Sequence, residues 1–237
     1  MDTDQRRERL LGIVGGIGPL ASAEFLRTIY EHTLGAQEQT SPRVIMYSDP
    51  TFPDRTEALL AGACESLLEP LQRALRTLRQ SGASRIVICC VTMHYLLPRL
   101  PLESRKDIWS LLDLIFAGVL QSRERHLLIC TNGTRKLEVF QNHCQWEIAQ
   151  DYFVLPKSSD QNLIHDLIYR VKRNEDIRQL TLTLEALLSK YDVGSFVAGC
   201  TEIHLLSKHF NPVSAAQPKY RCLDPLNIIA EEVAKEN

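Results

Sequence analysis

The chain reads as an α/β protein made of two similar α/β lobes with parallel sheets. Three observations lead there. Short apolar runs alternate with longer amphipathic ones along the whole length, which is the pattern of βα units rather than hairpins. The 237 residues correspond to between one and two domains at roughly 150 residues each. A weak internal echo relates the halves: Val87-Ile88-Cys89-Cys90 runs into Thr92, His94, Leu96 and Leu97, and Val197-Ala198-Gly199-Cys200 runs into Thr201, His204, Leu205 and Leu206. Likewise Leu10 to Val14 enters a glycine loop, and Leu127 to Cys130 enters Thr131-Asn132-Gly133-Thr134.

In chain order, Leu10 to Val14 is the first strand, and Gly15-Gly16-Ile17-Gly18-Pro19 is a tight turn that opens a helix. Val44 to Tyr47 is the second strand. Glu57 to Gln80 reads as one long helix, because Leu59, Leu60, Ala63, Leu67, Leu68, Leu71, Leu75 and Leu78 recur at three-or-four spacing as a single buried stripe. Arg85 to Cys90, Leu127 to Cys130, Phe153 to Leu155 and Ser195 to Ala198 are the remaining strands, with helices between. Pro98 to Ser104 carries two prolines and reads as a crossing between lobes, with Lys208 to Pro218 as the return. The first lobe is then discontinuous, residues 1–104 plus 212–237, and the second is 105–211. Leu223 to Val233 reads as a strand end and a helix, with Pro225 near its first turn.

Composition removes several classes of function. Lys plus Arg total 27 against 29 Asp plus Glu, so the formal charge of -2 gives nothing to draw a nucleic-acid backbone or an anionic membrane. No run approaches the roughly 18 apolar residues that span a bilayer. Arg6, Arg7 and Arg9 ahead of Leu10 to Leu20 imitate a secretory leader, but five glycine and proline residues between Gly12 and Pro19 suit a strand and turn better than a leader helix. Seven cysteines with one adjacent pair and no C-x-x-C suggest reduced thiols in a cytoplasmic protein and no structural zinc or other metal site.

Four groups of residues carry the candidate chemistry. Gly16-x-Gly18-x-x-Ala21 formally meets a dinucleotide fingerprint, with Asp49 as a distant ribose partner, yet the same turn suits a small anion or plain packing. Cys90 and Cys200 each end a strand ahead of a predicted helix, where the helix terminus lowers a thiol pKa from about 8.5. Cys64, Cys89, Cys130, Cys144 and Cys222 read as buried apolar filler. In Pro53-Asp54-Arg55-Thr56, Asp54 or Thr56 caps the following helix, and the Arg55 fork is suited to a carboxylate. His94 and His204, four residues beyond each cysteine, either tune the thiols or pack.

These residues together resemble the aspartate/glutamate racemase family, which works without pyridoxal phosphate. Gly15-Gly16-Ile17-Gly18-Pro19-Leu20-Ala21 is similar to its G-G-M-G-P-L-A, and Pro53-Asp54-Arg55-Thr56 to its P-D-R-T. Gly199-Cys200-Thr201-Glu202 matches G-C-T-E, Thr131-Asn132-Gly133-Thr134 matches T-x-G-T, and Asp224-Pro225 matches a terminal D-P. The resemblance implies an active site in the cleft between the two lobes, no cofactor, no metal and a homodimer acting on a small amino acid. It further implies that Cys90 and Cys200 are the catalytic acid/base pair. Thr92, Thr131, Thr134 and Thr201 would bind the substrate carboxylate beside Gly16, Arg55 would hold a distal carboxylate, and Lys172 would stand near. Where the family has C-N-T-A-H this chain has Cys90-Val91-Thr92-Met93-His94, so a side chain without hydrogen-bonding groups replaces an asparagine that holds substrate.

The reaction expected is therefore racemisation of aspartate or glutamate. Three other readings stay open. Val91 is compatible with a cysteine-dependent isomerase or decarboxylase of a small dicarboxylic acid. An inactive amino-acid-binding homologue would be stabilised by ligand without turnover. An NAD-binding oxidoreductase would need the glycine turn for its nucleotide.

Overall fold

The computed structural model describes residues 10–34, 37–210 and 218–236; the basic run at Arg6, Arg7 and Arg9 and most of the expected return segment lie outside them. Strands β1 (Leu10–Gly15), β2 (Arg43–Ser48), β3 (Arg85–Ile88) and β4 (Ile108–Trp109) form one parallel sheet in the order β2-β1-β3-β4. Strands β5 (His126–Ile129), β6 (Phe153–Val154), β7 (Ser195–Ala198) and β8 (Arg221–Leu223) form a second in the order β6-β5-β7-β8. The two orders are the same, so the echo in the sequence marks two halves of like topology. The inner strands are apolar on both faces because helices cover both faces of each sheet.

The helices are α1 (Pro19–Thr33), α2 (Arg55–Leu60), α3 (Glu65–Gln80), α4 (Leu111–Ser122), α5 (Asn132–Lys136), α6 (Trp146–Ala149), α7 (Ser158–Lys172), α8 (Ile177–Lys190), α9 (His204–Phe210) and α10 (Pro225–Glu236). Between the sheets lies a shared core: Phe25 and Ile29 of α1, Leu111, Ile115 and Phe116 of α4, and Leu226, Ile229 and Val233 of α10 pack with Val87 from the first sheet and Leu128 and Val197 from the second. The outer face of the first sheet is covered by Leu67, Leu71, Leu75 and Leu78 of α3, and that of the second by Leu167 and Ile168 of α7 and Leu180 and Leu184 of α8. Among the described residues no helix is long and apolar enough to cross a membrane.

The long helix expected over Glu57 to Gln80 is two helices. Ala63 N–H donates to Ala58 O and Gly62 N–H to Leu59 O, which closes α2 with the paired bonds of a glycine-terminated helix, Gly62 taking φ +74°. Leu60 and Ala63 consequently face solvent, while Leu59 stays buried and the stripe resumes at Leu67 in α3. Strands β4 and β8 lack a sequence signal because two or three residues are too few to show a period. They also shift the expected lobe boundaries: Ile108–Trp109 still belongs to the first sheet and Arg221–Leu223 to the second. The expected crossing at Pro98 to Ser104 is two short 3-10 turns on the first lobe. The chain passes over at Ser110, whose hydroxyl accepts from Asp113 N–H and caps α4.

Candidate active site

In each sheet the order of strands reverses beside the first strand of its half, and ligands of open α/β sheets bind outside the carboxyl ends of strands at such points. The candidate residues fall there. The glycine turn leaves β1, Cys90 comes after β3, Thr131 after β5 and Cys200 after β7. The glycine turn faces a cleft cavity of about 170 Å³ lined by Gly16, Gly18, Arg55, Lys172, Glu202 and Leu205, among others, and Cys90 and Cys200 lie near enough to act on the Arg55 charge.

The glycine turn is occupied by the protein itself. Gly16 has φ +83°, and a Cβ there would lie 2.3 Å from Asp49 N; Gly18 has φ +112°, and a Cβ there would lie 2.3 Å from Glu202 Oε1. Gly16 N–H already donates to Ser22 Oγ at 3.2 Å. Asp49 Oδ1 is turned back on its own loop, accepting from Thr51 N–H at 2.9 Å and Thr51 Oγ1 at 2.6 Å. A pyrophosphate would need the space that Asp49 and Glu202 fill, so the dinucleotide reading is set aside.

Asp54 caps α2 by accepting from Glu57 N–H at 3.1 Å, as the sequence suggests, and does a second job. Its other oxygen accepts from Tyr169 O–H at 2.7 Å, joining the lobes across the cleft mouth. Lys172 stands one helical turn on, 3.9 Å from Asp54 Oδ2 and 4.0 Å from the Tyr169 ring centroid. Burial works against charge on Arg55, but Cys90, Asp54, Glu202 and Cys200 outweigh it and raise its pKa. Lys172 is raised in the same way, burial being overcome by Glu202, Cys200 and Tyr169. Two cations therefore sit among the sulfurs and carboxylates of the cleft.

Cys90 and Cys200 are both buried, 6% and 5% exposed. The Cys200 thiol donates to Glu202 Oε2 at 2.8 Å. Burial, then the Glu202 charge, pushes the Cys200 pKa well up, against the fall expected from a helix terminus. Cys200 leads into a 3-10 turn, Thr201–Ile203, and Cys90 into another, Thr92–Arg99. The threonines divide into two groups. Thr92 Oγ1 and Thr134 Oγ1 are 2.8 Å apart, and Thr131 Oγ1 is 3.1 Å from Thr134 Oγ1, forming a chain of hydroxyls that spans both lobes. Thr201 Oγ1 instead donates to Cys89 O at 3.1 Å, tying the two cysteine turns together.

Neither histidine tunes a sulfur. Burial pushes the His94 pKa down to about 4, and the neutral ring donates from Nδ1 to Cys90 O and accepts at Nε2 from Leu111 N–H, both at 3.0 Å. His204 pairs with Asp224 Oδ2 at 2.6 Å and with Thr28 Oγ1 at 2.9 Å. Val91 packs into the shared core beside Cys89. Of the remaining cysteines, Cys64, Cys89, Cys130 and Cys222 are buried as expected, whereas Cys144 is exposed because it lies in the irregular stretch ahead of α6. Sequence reasoning did not single out Glu202, Tyr169 or the second role of Asp54. A carboxylate two residues past a strand-end cysteine, and a tyrosine three residues before Lys172, were the available signals.

The family model for Asp/Glu/Hydantoin racemase matches residues 14–233. The chain belongs to that family. Racemases are isomerases, and this family member is an enzyme of that class. Solved structures with the same fold include Picrophilus torridus aspartate racemase, at 24% identity and TM-score 0.79, covering 96% of this chain and 94% of that one. An aspartate racemase homologue from Pyrococcus horikoshii OT3 is 15% identical with TM-score 0.66, covering 96% and 98% of the two chains. Allantoin racemase from Klebsiella pneumoniae is 13% identical with TM-score 0.56, covering 96% and 86%. The expected two-lobed parallel α/β fold of the racemase family is the fold observed.

Proposed function

We propose that this racemase inverts a small amino acid, aspartate or glutamate, without a cofactor, with Cys90 and Cys200 as the acid/base pair. The observation that carries the reading is that two strand-end thiols, one from each lobe, both act on the charge of Arg55, which lines the cleft together with Lys172. Inverting a carbon requires a proton to leave one face and another to arrive on the opposite face. One thiolate removes the α-proton, and one thiol returns a proton from across the cleft. The hydroxyls of Thr92, Thr131 and Thr134 receive the α-carboxylate beside the Gly16 backbone, and Thr201 keeps the cysteine turns in register. Arg55 binds the distal carboxylate bidentately, and Lys172 adds a second cation that stabilises charge developing on the carbanion. The Asp54–Tyr169 bond holds the lobes closed over the substrate, which excludes water.

The test is proton NMR of L-aspartate and L-glutamate in D₂O with reduced protein and no added cofactor, followed by enantiomer analysis. Loss of the α-proton with appearance of the D-form supports the reading. No exchange by folded protein rejects it and directs attention to a dicarboxylate substrate, the alternative that Val91 favours.

A further inference from the structure

Glu202 is the acidic group nearest the chemistry and has no place in the scheme above. It is 3% exposed, on the 3-10 turn after Cys200. One oxygen, Oε2, accepts the Cys200 thiol at 2.8 Å; the other, Oε1, has no hydrogen-bond donor among the described residues and lies in the hollow left by the missing side chain of Gly18. A methyl group at Gly18 would fall 2.3 Å from Oε1, so the first lobe is shaped to admit this carboxylate. Among the described residues Cys90 has no comparable partner: its turn offers Val91, whose side chain packs into the core, and Thr92, whose hydroxyl meets Thr134. The two thiols are alike in exposure, 6% and 5%, so burial alone does not distinguish them.

Resting on the racemase reading, we propose that Glu202 is a positioning residue that keeps Cys200 protonated, so the free enzyme rests with Cys200 as proton donor and Cys90 as proton acceptor. In the forward step the Cys90 thiolate takes the α-proton, the C–H electron pair stays on carbon, and the Cys200 S–H delivers its proton to the opposite face. The products are a Cys90 thiol, a Cys200 thiolate and the inverted amino acid. The Cys200 thiolate then stands against the Glu202 carboxylate, and this repulsion favours return of a proton to Cys200 over Cys90. Other charged groups face the pair: Lys172 from α7 favours the thiolate, and Cys90 and Arg55 stand across the cleft. The Glu202 contact is the one direct hydrogen bond to the sulfur among the described residues.

Two readouts test this. Iodoacetamide alkylation over a pH series, resolved by peptide mass spectrometry, should label Cys90 ahead of Cys200 in the wild type. In Glu202→Gln the midpoint for Cys200 should fall by at least about one pH unit while that of Cys90 holds. Glu202→Asp retains the charge and should restore the wild-type order. Racemisation from each enantiomer supplies the second readout. Because the equilibrium constant is one, kcat/KM must stay equal in the two directions, so Glu202→Gln should shift the ratio of the two kcat values about tenfold with KM moving in step. An equal fall of kcat in both directions, or wild-type alkylation of Cys200 as early as Cys90, overturns the proposal. A wild-type protein that exchanges no α-proton rejects the racemase reading, and the order of alkylation still decides the role of Glu202.

Discussion

Replacement of Asp224 tests how the cysteine turns are held. Its side chain and that of His204 are each 1% exposed and meet at 2.6 Å, and Asp224 Oδ1 also accepts from Leu226 N–H at 3.0 Å, capping α10. Thr28 donates its hydroxyl proton to Glu24 O, and its Oγ1 meets His204 Nε2 at 2.9 Å, so the ring has a partner on each nitrogen. Removing one partner of a buried pair costs about 3–5 kcal/mol, and losing an N-cap about 1 kcal/mol more. Asp224→Asn keeps a capping oxygen and should lose about 3 kcal/mol, or roughly 6–12 °C in Tm for a chain of this size. Asp224→Ala should lose about 1 kcal/mol beyond that. Burial raises the Asp224 pKa, but the His204 charge and hydrogen bond overcome it and hold the carboxyl below its ordinary 3.8. A depressed carboxyl pKa stabilises the fold above the unfolded value, and the gain is lost as pH falls through the folded one. The gap between wild type and Asp224→Asn should therefore be constant from neutral pH down to about 5 and narrow only below about 4. Urea unfolding at several pH values reads it. A gap under about 0.5 kcal/mol at pH 7 would show that the pair contributes nothing to stability.

Cys90→Ser and Cys200→Ser should each lower racemisation by about 10²–10⁴-fold, measured as enantiomer conversion, with near-native circular dichroism. Gly16→Ala places a Cβ 2.3 Å from the Asp49 backbone at φ +83°, and should cost at least about 2 kcal/mol in urea unfolding. Leu71→Ala empties a fully buried site in the α3 stripe and should cost about 2–5 kcal/mol, leaving KM unchanged. Tyr169→Phe removes the bond to Asp54 across the cleft mouth and should raise KM while changing stability by about 1 kcal/mol or less.

Inner strands were legible because a strand covered on both faces is a continuous apolar run, as at Ile86–Ile88 and Leu127–Ile129. Edge strands Ile108–Trp109 and Arg221–Leu223 were not, since their assignment rests on pairing with distant residues. The α2–α3 break was hidden because the leucines at 59 and 67 keep helical phase across it, while the Gly62 turn that separates them depends on backbone hydrogen bonds. The two cysteines, Arg55 and the threonines were readable from their positions after strands. Their environments were not: that Thr201 binds the Cys89 carbonyl, and that Glu202 meets the Cys200 thiol, depends on how the lobes face one another.

The repeated histidines show how a duplicated topology holds two unlike turns. His94 joins the Cys90 carbonyl to the first residue of α4, and His204 joins the start of α9 to Thr28 of α1 and to Asp224 ahead of α10. Each histidine thus anchors its cysteine turn to helices of the shared core, and that anchoring spans the lobes. Fixing both turns to one core sets the separation of the two sulfurs without requiring any direct contact between them. The turns give the thiols different neighbours: Val91 and Thr92 after one, Thr201 and Glu202 after the other. Under the proposed acid/base scheme this difference matters, because a pair of identical thiols would share one proton with no preferred direction, whereas a carboxylate beside one of them would assign the donor before substrate arrives.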